Sequence, residues 1–208
     1  KWVQLSSVGA YGIIKSGNVN ETYIDSPFSL YEKTKTEADK LIMQSGIDYT
    51  ILRPSIVFGE KMKNDSLYNL LNSILNNTFF FIGRKGSILN YVHADDVASA
   101  LVLCGNKSEA NKKIYILSQM IKIEDLVNCI LNYRNKKRYI IRIPKLPLQI
   151  IVFLLSLFIK LPLTPSRLDA LSSFVYYDSS TIKKDLNFKF KERLIDQLTN
   201  YMDQKLIK

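Results

Sequence analysis

The chain has 208 residues, 47% hydrophobic and 23% charged, a globular composition that excludes a disordered or fibrous protein and allows one or two domains. Its 29 Lys and Arg against 19 Asp and Glu give a net charge of +10. The cations are dispersed apart from Asn135-Lys136-Lys137-Arg138, and no groove-reading or base-stacking motif accompanies them, so the charge does not indicate a nucleic-acid binder.

The first seven residues, ending Leu5-Ser6-Ser7, read as a buried strand, and a Gly-containing loop continues through Gly17. A helix carrying Tyr31 ends at Gly46, a natural residue after a helix C-terminus. Tyr49-Thr50-Ile51-Leu52-Arg53 is the next strand, stopped by Pro54, which has no N–H for a ladder. Strand, loop, helix, strand is a parallel crossover unit. It sets Ser7, Pro54 and the loop before Tyr31 at the carboxyl edge of one sheet, where α/β folds bind ligands.

Beyond Gly59 the period changes, and Asp65 is expected to cap an amphipathic helix with Leu67, Leu70, Leu71, Ile74 and Leu75 on one side. Residues 79–82 and 88–92 are strand-like, 96–103 helical, 113–117 a strand, 124–133 a helix and 139–143 strand-like. Asp95 and Asp96 suit a helix N-terminus better than a catalytic carboxylate pair. Cys104 and Cys129 lie in apolar helical stretches and read as buried reduced thiols of a cytoplasmic protein; no metal-ligand spacing is present. Residues 146–163 are almost wholly apolar, interrupted by Pro147, Gln149, Ser156 and Lys160. They fall short of the roughly 20 residues a membrane span needs and predict a buried or partly exposed helix. An interfacial anchor flanked by Lys145 and Lys160, and hence peripheral membrane contact, is the alternative. Thr164-Pro165 is a cap with Pro at the first helical position, a helix follows Asp178, and residues 192–206 form a last amphipathic helix.

Tyr31 and Lys35 are four apart and share a helix face. A free Tyr titrates at about 10, too high for a general base at neutral pH, and a neighbouring cation favours the phenolate. Lys35 is therefore the expected activator and Tyr31 the acid/base. Ser7, at the end of a strand facing that helix, can hydrogen-bond the oxygen whose proton Tyr31 moves. A Tyr-x-x-x-Lys pair by itself is usually a surface Tyr over a solvated Lys; the order of the surrounding elements gives this one its weight.

Val3-Gln4-Leu5-Ser6-Ser7-Val8-Gly9-Ala10-Tyr11-Gly12, the Tyr31 to Lys40 stretch, Thr50-Ile51-Leu52-Arg53-Pro54-Ser55-Ile56-Val57-Phe58-Gly59, Asn90-Tyr91-Val92-His93-Ala94-Asp95-Asp96 and the block opening at Asp178 occur in this order. Together they resemble an extended short-chain dehydrogenase/reductase of the NAD-dependent epimerase/dehydratase family. The resemblance implies an α/β fold: the C-terminal part of a Rossmann-like doubly wound parallel sheet with a smaller mixed substrate domain. It implies a division into residues 1–59, the second half of the NAD(P)-binding domain, and 60–208, mainly substrate-binding, with about 88–105 returning to the sheet. It implies that Ser7, Tyr31 and Lys35 are catalytic, that Ser7 also binds the substrate, that Tyr31 and Lys35 also bind the cofactor, Lys35 by holding the nicotinamide ribose, and that Ser6, Pro54 and Ser55 line the nicotinamide of NAD or NADP. His93 resembles a structural position before a helix.

No G-x-G-x-x-G or G-x-x-G-x-x-G turn occurs among the 8 Gly, so the family's pyrophosphate-binding first half is expected to be missing from this chain. The implied activity is a Tyr-assisted hydride transfer on a nucleotide-activated sugar, as an epimerase or reductase in cell-envelope polysaccharide synthesis, with Arg84, Lys85 and Arg167 as candidate substrate-binding cations and a homodimer as an expected assembly. Leu89 stands where many epimerases carry Arg, and Val8 and Glu32, the latter read as solvent-facing, do not supply a dehydratase acid/base pair. Sterol or lipid alcohol dehydrogenation, and a non-catalytic relic or binding module, are the alternatives.

Overall fold

The computed structural model describes residues 1–62, 65–135, 139–159 and 163–206. In chain order these form β1 (Trp2–Leu5), a 3₁₀ turn (Val8–Tyr11), β2 (Ser16–Val19), α1 (Leu30–Gln44), β3 (Tyr49–Pro54), β4 (Ile56–Phe58), α2 (Ser66–Leu75), β5 (Phe81–Ile82), β6 (Ile88–His93) and α3 (Ala94–Asn106). There follow a second 3₁₀ turn (Ser108–Ala110), β7 (Lys113–Leu117), β8 (Gln119–Lys122), α4 (Ile123–Tyr133), β9 (Arg142–Ile143), α5 (Lys145–Ser156), α6 (Pro165–Leu171), β10 (Phe174–Tyr177), α7 (Ser180–Leu186) and α8 (Leu194–Leu206). The fold is α/β with parallel strand pairing. The chain divides into two compact units, residues 1–60, 90–120 and 175–197 in the first and 61–89, 121–174 and 198–208 in the second.

The first unit is built on a parallel sheet in the order β1-β3-β7, with Leu5 opposite Leu52 and Leu52 opposite Tyr115. As the central strand, β3 is covered on both faces, and parallel strands in that position are usually apolar throughout. Ile51 and Leu52 fit this rule; Thr50 and Arg53 are equally buried and need partners. Thr50 finds one in Ala110 O at 2.7 Å. One face of the sheet packs on Val92, Ala100, Cys104, Ile182 and Leu186, and a second cluster joins Val8, Tyr11, Val19, Ile116 and Val175. β3 ends at Pro54, one residue beyond the strand expected over 49–53. Pro54 pairs with Leu117 as the last residue of the ladder, because the hydrogen bond at this register runs from Ser55 N to Leu117 O and needs no N–H from proline. Residues 16 and 17, the end of the loop read from the sequence, belong to β2 (Ser16–Val19), which ends in an Asp178 N to Val19 O bond; a partner so distant in sequence leaves no local signal.

In the second unit α2 packs on α4, burying Leu67, Leu71 and Ile74 on one helix and Leu126, Val127 and Ile130 on the other. Asp65 occupies the cap position of α2 but makes no side-chain cap bond, contrary to the sequence expectation. β5 and β9 pair in parallel and are shorter than the apolar runs containing them, Phe81 standing opposite Arg142 and Ile82 opposite Ile143. Ile82, Val152 and Leu168 form the small core beneath α5 and α6.

Candidate active site

Ser7 follows β1 and caps the first 3₁₀ turn, its hydroxyl oxygen accepting from Gly9 N at 3.1 Å. That bond uses a lone pair and leaves the O–H proton to donate elsewhere. The turn is pressed against the start of α1. A Cβ on Gly9 would lie 2.8 Å from Glu32 Cγ, and one on Gly12 would lie 1.9 Å from Ser26 O. Gly12 also has φ +77°, a backbone that glycine adopts without strain. Ser26 N donates to Ala10 O at 2.9 Å, seating the segment before α1 on the turn that carries Ser7.

A reciprocal capping box starts α1: Ser29 Oγ accepts from Glu32 N, and Glu32 accepts from Ser29 N at 2.9 Å and Phe28 N at 2.8 Å. Glu32 is therefore a structural cap under Gly9 and not a solvent-facing neighbour of Tyr31. Tyr31 stands on the first helical turn, 59% exposed, with no hydrogen bond from its hydroxyl among the described residues. One turn on, Lys35 Nζ donates to Leu5 O, the last carbonyl of β1, at 2.8 Å. This bond uses one of three ammonium protons and fixes a positive charge at the carboxyl end of the sheet. The end of β3 lies alongside, since Ser6 N donates to Leu52 O at 2.8 Å. Pro54 and Ser55 at that end are both buried, and Ser55 Oγ is a buried oxygen without a partner. Buried polar atoms are normally satisfied, so one left over at a strand end suits a ligand group.

Ser6 precedes Ser7 at the same strand end. It is buried, and its hydroxyl donates to Asp39 Oδ2 at 2.7 Å, tying the end of β1 to the support beneath. That support centres on Arg53, which grips Asp25 with two bonds of 2.6 and 2.8 Å, reaches Asp39 Oδ2 at 3.0 Å, and lies 4.8 Å over the Tyr11 ring. Burial pushes the Asp39 carboxyl up, while the Ser6 hydroxyl and the Arg53 charge pull it down, with a net rise. Burial also pushes the Tyr11 phenol up to about 12. Sequence reasoning missed this cluster, whose one local signal was an Arg inside an otherwise apolar strand.

Arg84, Lys85 and Arg167 belong to the second unit, not to the unit holding Ser7, Tyr31 and Lys35. Arg84 and Lys85 are exposed between β5 and β6, and Arg167 is exposed on α6. The Gly83 and Arg84 carbonyls accept from Arg142 Nη1 at 3.2 and 3.1 Å, and Arg142 also pairs with Glu124 at 2.6 Å and lies 4.6 Å over the Phe81 ring. His93 caps α3, its Nδ1 accepting from Asp95 N at 3.2 Å, with its ring edge-on to Phe58. Lys160 and the Lys136-Lys137-Arg138 run lie outside the described residues.

The sequence model of the NAD dependent epimerase/dehydratase family matches residues 1–118. No curated protein matches the sequence significantly. Among solved structures the chain is similar to UDP-glucuronic acid 4-epimerase from Bacillus cereus in complex with NAD, with TM-score 0.70 and 18% identity over 99% of this chain and 61% of that one. It is also similar to DesIV, a dTDP-glucose 4,6-dehydratase from Streptomyces venezuelae, with NAD and TYD bound (0.67, 17%, 99% and 60%). A third is RMD from Pseudomonas aeruginosa complexed with NADPH (0.68, 14%, 99% and 66%). The chain thus spans less than two thirds of the length of each of these proteins.

Proposed function

The chain belongs to the NAD dependent epimerase/dehydratase family, and on that premise we propose that it acts in an NAD- or NADP-dependent epimerase or reductase/dehydrogenase working on a nucleotide-activated sugar. The observation that carries this reading is the meeting of Ser7, Tyr31 and Lys35 at one strand end, with the Lys35 ammonium on Leu5 O and the Ser7 turn packed against the first turn of α1. The residues fit the nicotinamide end of a dinucleotide: an exposed phenol, a fixed ammonium with protons to spare, and the unsatisfied Ser55 Oγ. A nucleotide-activated substrate accords with the UDP- and dTDP-sugar names of the structural neighbours, and polysaccharide synthesis is the proposed setting.

When bound, the dinucleotide supplies the acceptor and donor of hydride. Lys35, its ammonium fixed on Leu5 O with protons to spare, would hold the ribose hydroxyls of the bound dinucleotide. Tyr31 Oη takes the proton of a sugar hydroxyl while the carbon bearing it gives up hydride, and the C–O bond becomes a carbonyl. Ser7 Oγ, oriented by Gly9 N, donates to that oxygen throughout. Return of proton and hydride to the other face of the carbon gives an epimer; departure of the ketone gives a dehydrogenase.

Tyr31→Phe is expected to lower turnover by about a hundredfold or more, the usual share of a general acid/base, with the circular dichroism spectrum and dinucleotide binding retained. Assays over a panel of UDP- and dTDP-sugars and lipid alcohols read this. Unchanged turnover overturns the roles, and turnover on lipid alcohols alone replaces the sugar with a lipid substrate.

A further inference from the structure

The distribution of charge between the two units is uneven. The residues of the first unit include 14 Lys and Arg against 14 Asp and Glu; those of the second include 15 against 5. The whole net charge of +10 therefore belongs to the second unit. The same unit carries α5, which turns Leu148 and Val152 toward Ile82, Leu168 and Leu171 and leaves its other apolar side chains exposed. Leu146, Ile150, Phe153, Leu154, Leu157 and Phe158 are all exposed, Phe153 by 58% and Phe158 by 84%. A helix on the surface of a globular unit ordinarily presents polar residues there, and a contiguous apolar face of this kind marks an interaction site.

The start of this face is edged with cations. Gly83 N donates to Ile143 O at 2.9 Å, and a Cβ on Gly83 would lie 3.5 Å from Lys145 Cβ. The exposed Arg84 and Lys85, next in sequence, thus stand beside the N-terminal end of α5. Lys145 itself pairs with Asp169 at 2.8 Å. Twelve residues of helix reach about 18 Å, well short of the roughly 30 Å of a bilayer core, and no helix among the described residues is long and apolar enough to cross a membrane.

We propose that the second unit docks on an anionic lipid bilayer, with α5 lying in the interface, its outward apolar face among the acyl chains and Arg84 and Lys85 on the headgroups. Apolar area together with cations is what an interfacial helix requires. A second copy is the poorer occupant, because it would set one strongly basic unit against another. The docking is independent of the catalytic assignment, and Tyr31→Phe is expected to bind membranes as the unaltered chain does.

The test is flotation of the full chain with phosphatidylglycerol vesicles and with phosphatidylcholine vesicles, at low and high salt. The chain is expected to float with the anionic vesicles, and less so as salt rises. The Arg84→Gln/Lys85→Gln pair weakens binding roughly thirtyfold, the combined share of two cations near a charged surface. Ile150→Gln/Phe153→Gln/Leu157→Gln removes flotation while leaving the thermal melt in place, since all three side chains are exposed. Equal flotation with both vesicle types, or flotation that survives the apolar-face substitutions, overturns the proposal. So does failure to float accompanied by self-association in sedimentation velocity, which would make the face a contact between copies.

Discussion

Arg53 is a guanidinium sealed inside a β-sheet protein, and its cost is met only by its surroundings. Asp25, Asp39 and the Tyr11 ring supply them. Removing one partner of a buried pair leaves the other uncompensated, here the fully buried Asp39, a loss of about 3 to 5 kcal/mol. Arg53→Met is therefore expected to lower unfolding free energy by about 3 kcal/mol or more in urea titrations; a change within about 0.5 kcal/mol, typical of a surface site, would mean that water reaches the cluster. Glycine positions give a second comparison at this scale. Gly12→Ala meets both a positive φ and the Ser26 carbonyl, whereas Gly17, at φ +118°, has nothing within 4 Å of an added Cβ. Gly17→Ala is expected to cost only the backbone term of about 1 to 2 kcal/mol, and Gly12→Ala clearly more, with thermal melts as the readout. Tyr31, Lys35 and Ser7 stand out in the sequence as the proposed catalytic groups because that chemistry is carried by residue type and helical spacing. The cluster of Ser6, Asp39, Asp25 and Arg53 does not, because nothing local relates positions so far apart in the chain.

At the scale of elements, the helices and the parallel strands follow from their patterns: α1 from its close before Gly46, α2 and α4 from their apolar faces, β3 and β7 from short apolar runs. The differences arise where pairing outweighs local preference. Pro54 stays in β3 because the ladder does not use its nitrogen, and β2 exists because of a contact with residue 178. The start of α3 at Ala94, earlier than the pattern suggests, follows from His93 acting as its cap. His93→Ala should therefore destabilise the fold by about 1 kcal/mol, the usual value of a cap, and leave turnover unchanged; urea titrations and steady-state assays of one preparation check both. A large loss of turnover with stability intact would give His93 a catalytic place that its geometry does not indicate.

For the molecule as a whole, buried acids make the fold sensitive to alkali. Burial raises the Cys104 thiol from 9.0 to about 11 and the phenols of Tyr11 and Tyr91 from 10.0 to about 12. Between the ordinary and the raised values the unfolded chain has released protons that the folded chain still holds, so stability falls as pH rises. Urea titrations at pH 8 and pH 10.5 are expected to differ by about 2 kcal/mol or more, and Cys104→Ala to remove the thiol's part of the difference; a flat profile would refute the burial of these groups. The sequence by itself determined the α/β class and the parallel crossover, because hydrophobic period and breakers are local properties, and it supplied Ser7, Tyr31 and Lys35 as the proposed catalytic groups. Tertiary structure alone decided which polar groups lie beneath the site, that Ser6 is tied to Asp39 and Ser55 has an open oxygen, and that the charge and the bare apolar helix share one unit. Those outcomes depend on which distant segments come together to exclude water, and no short stretch of sequence records that.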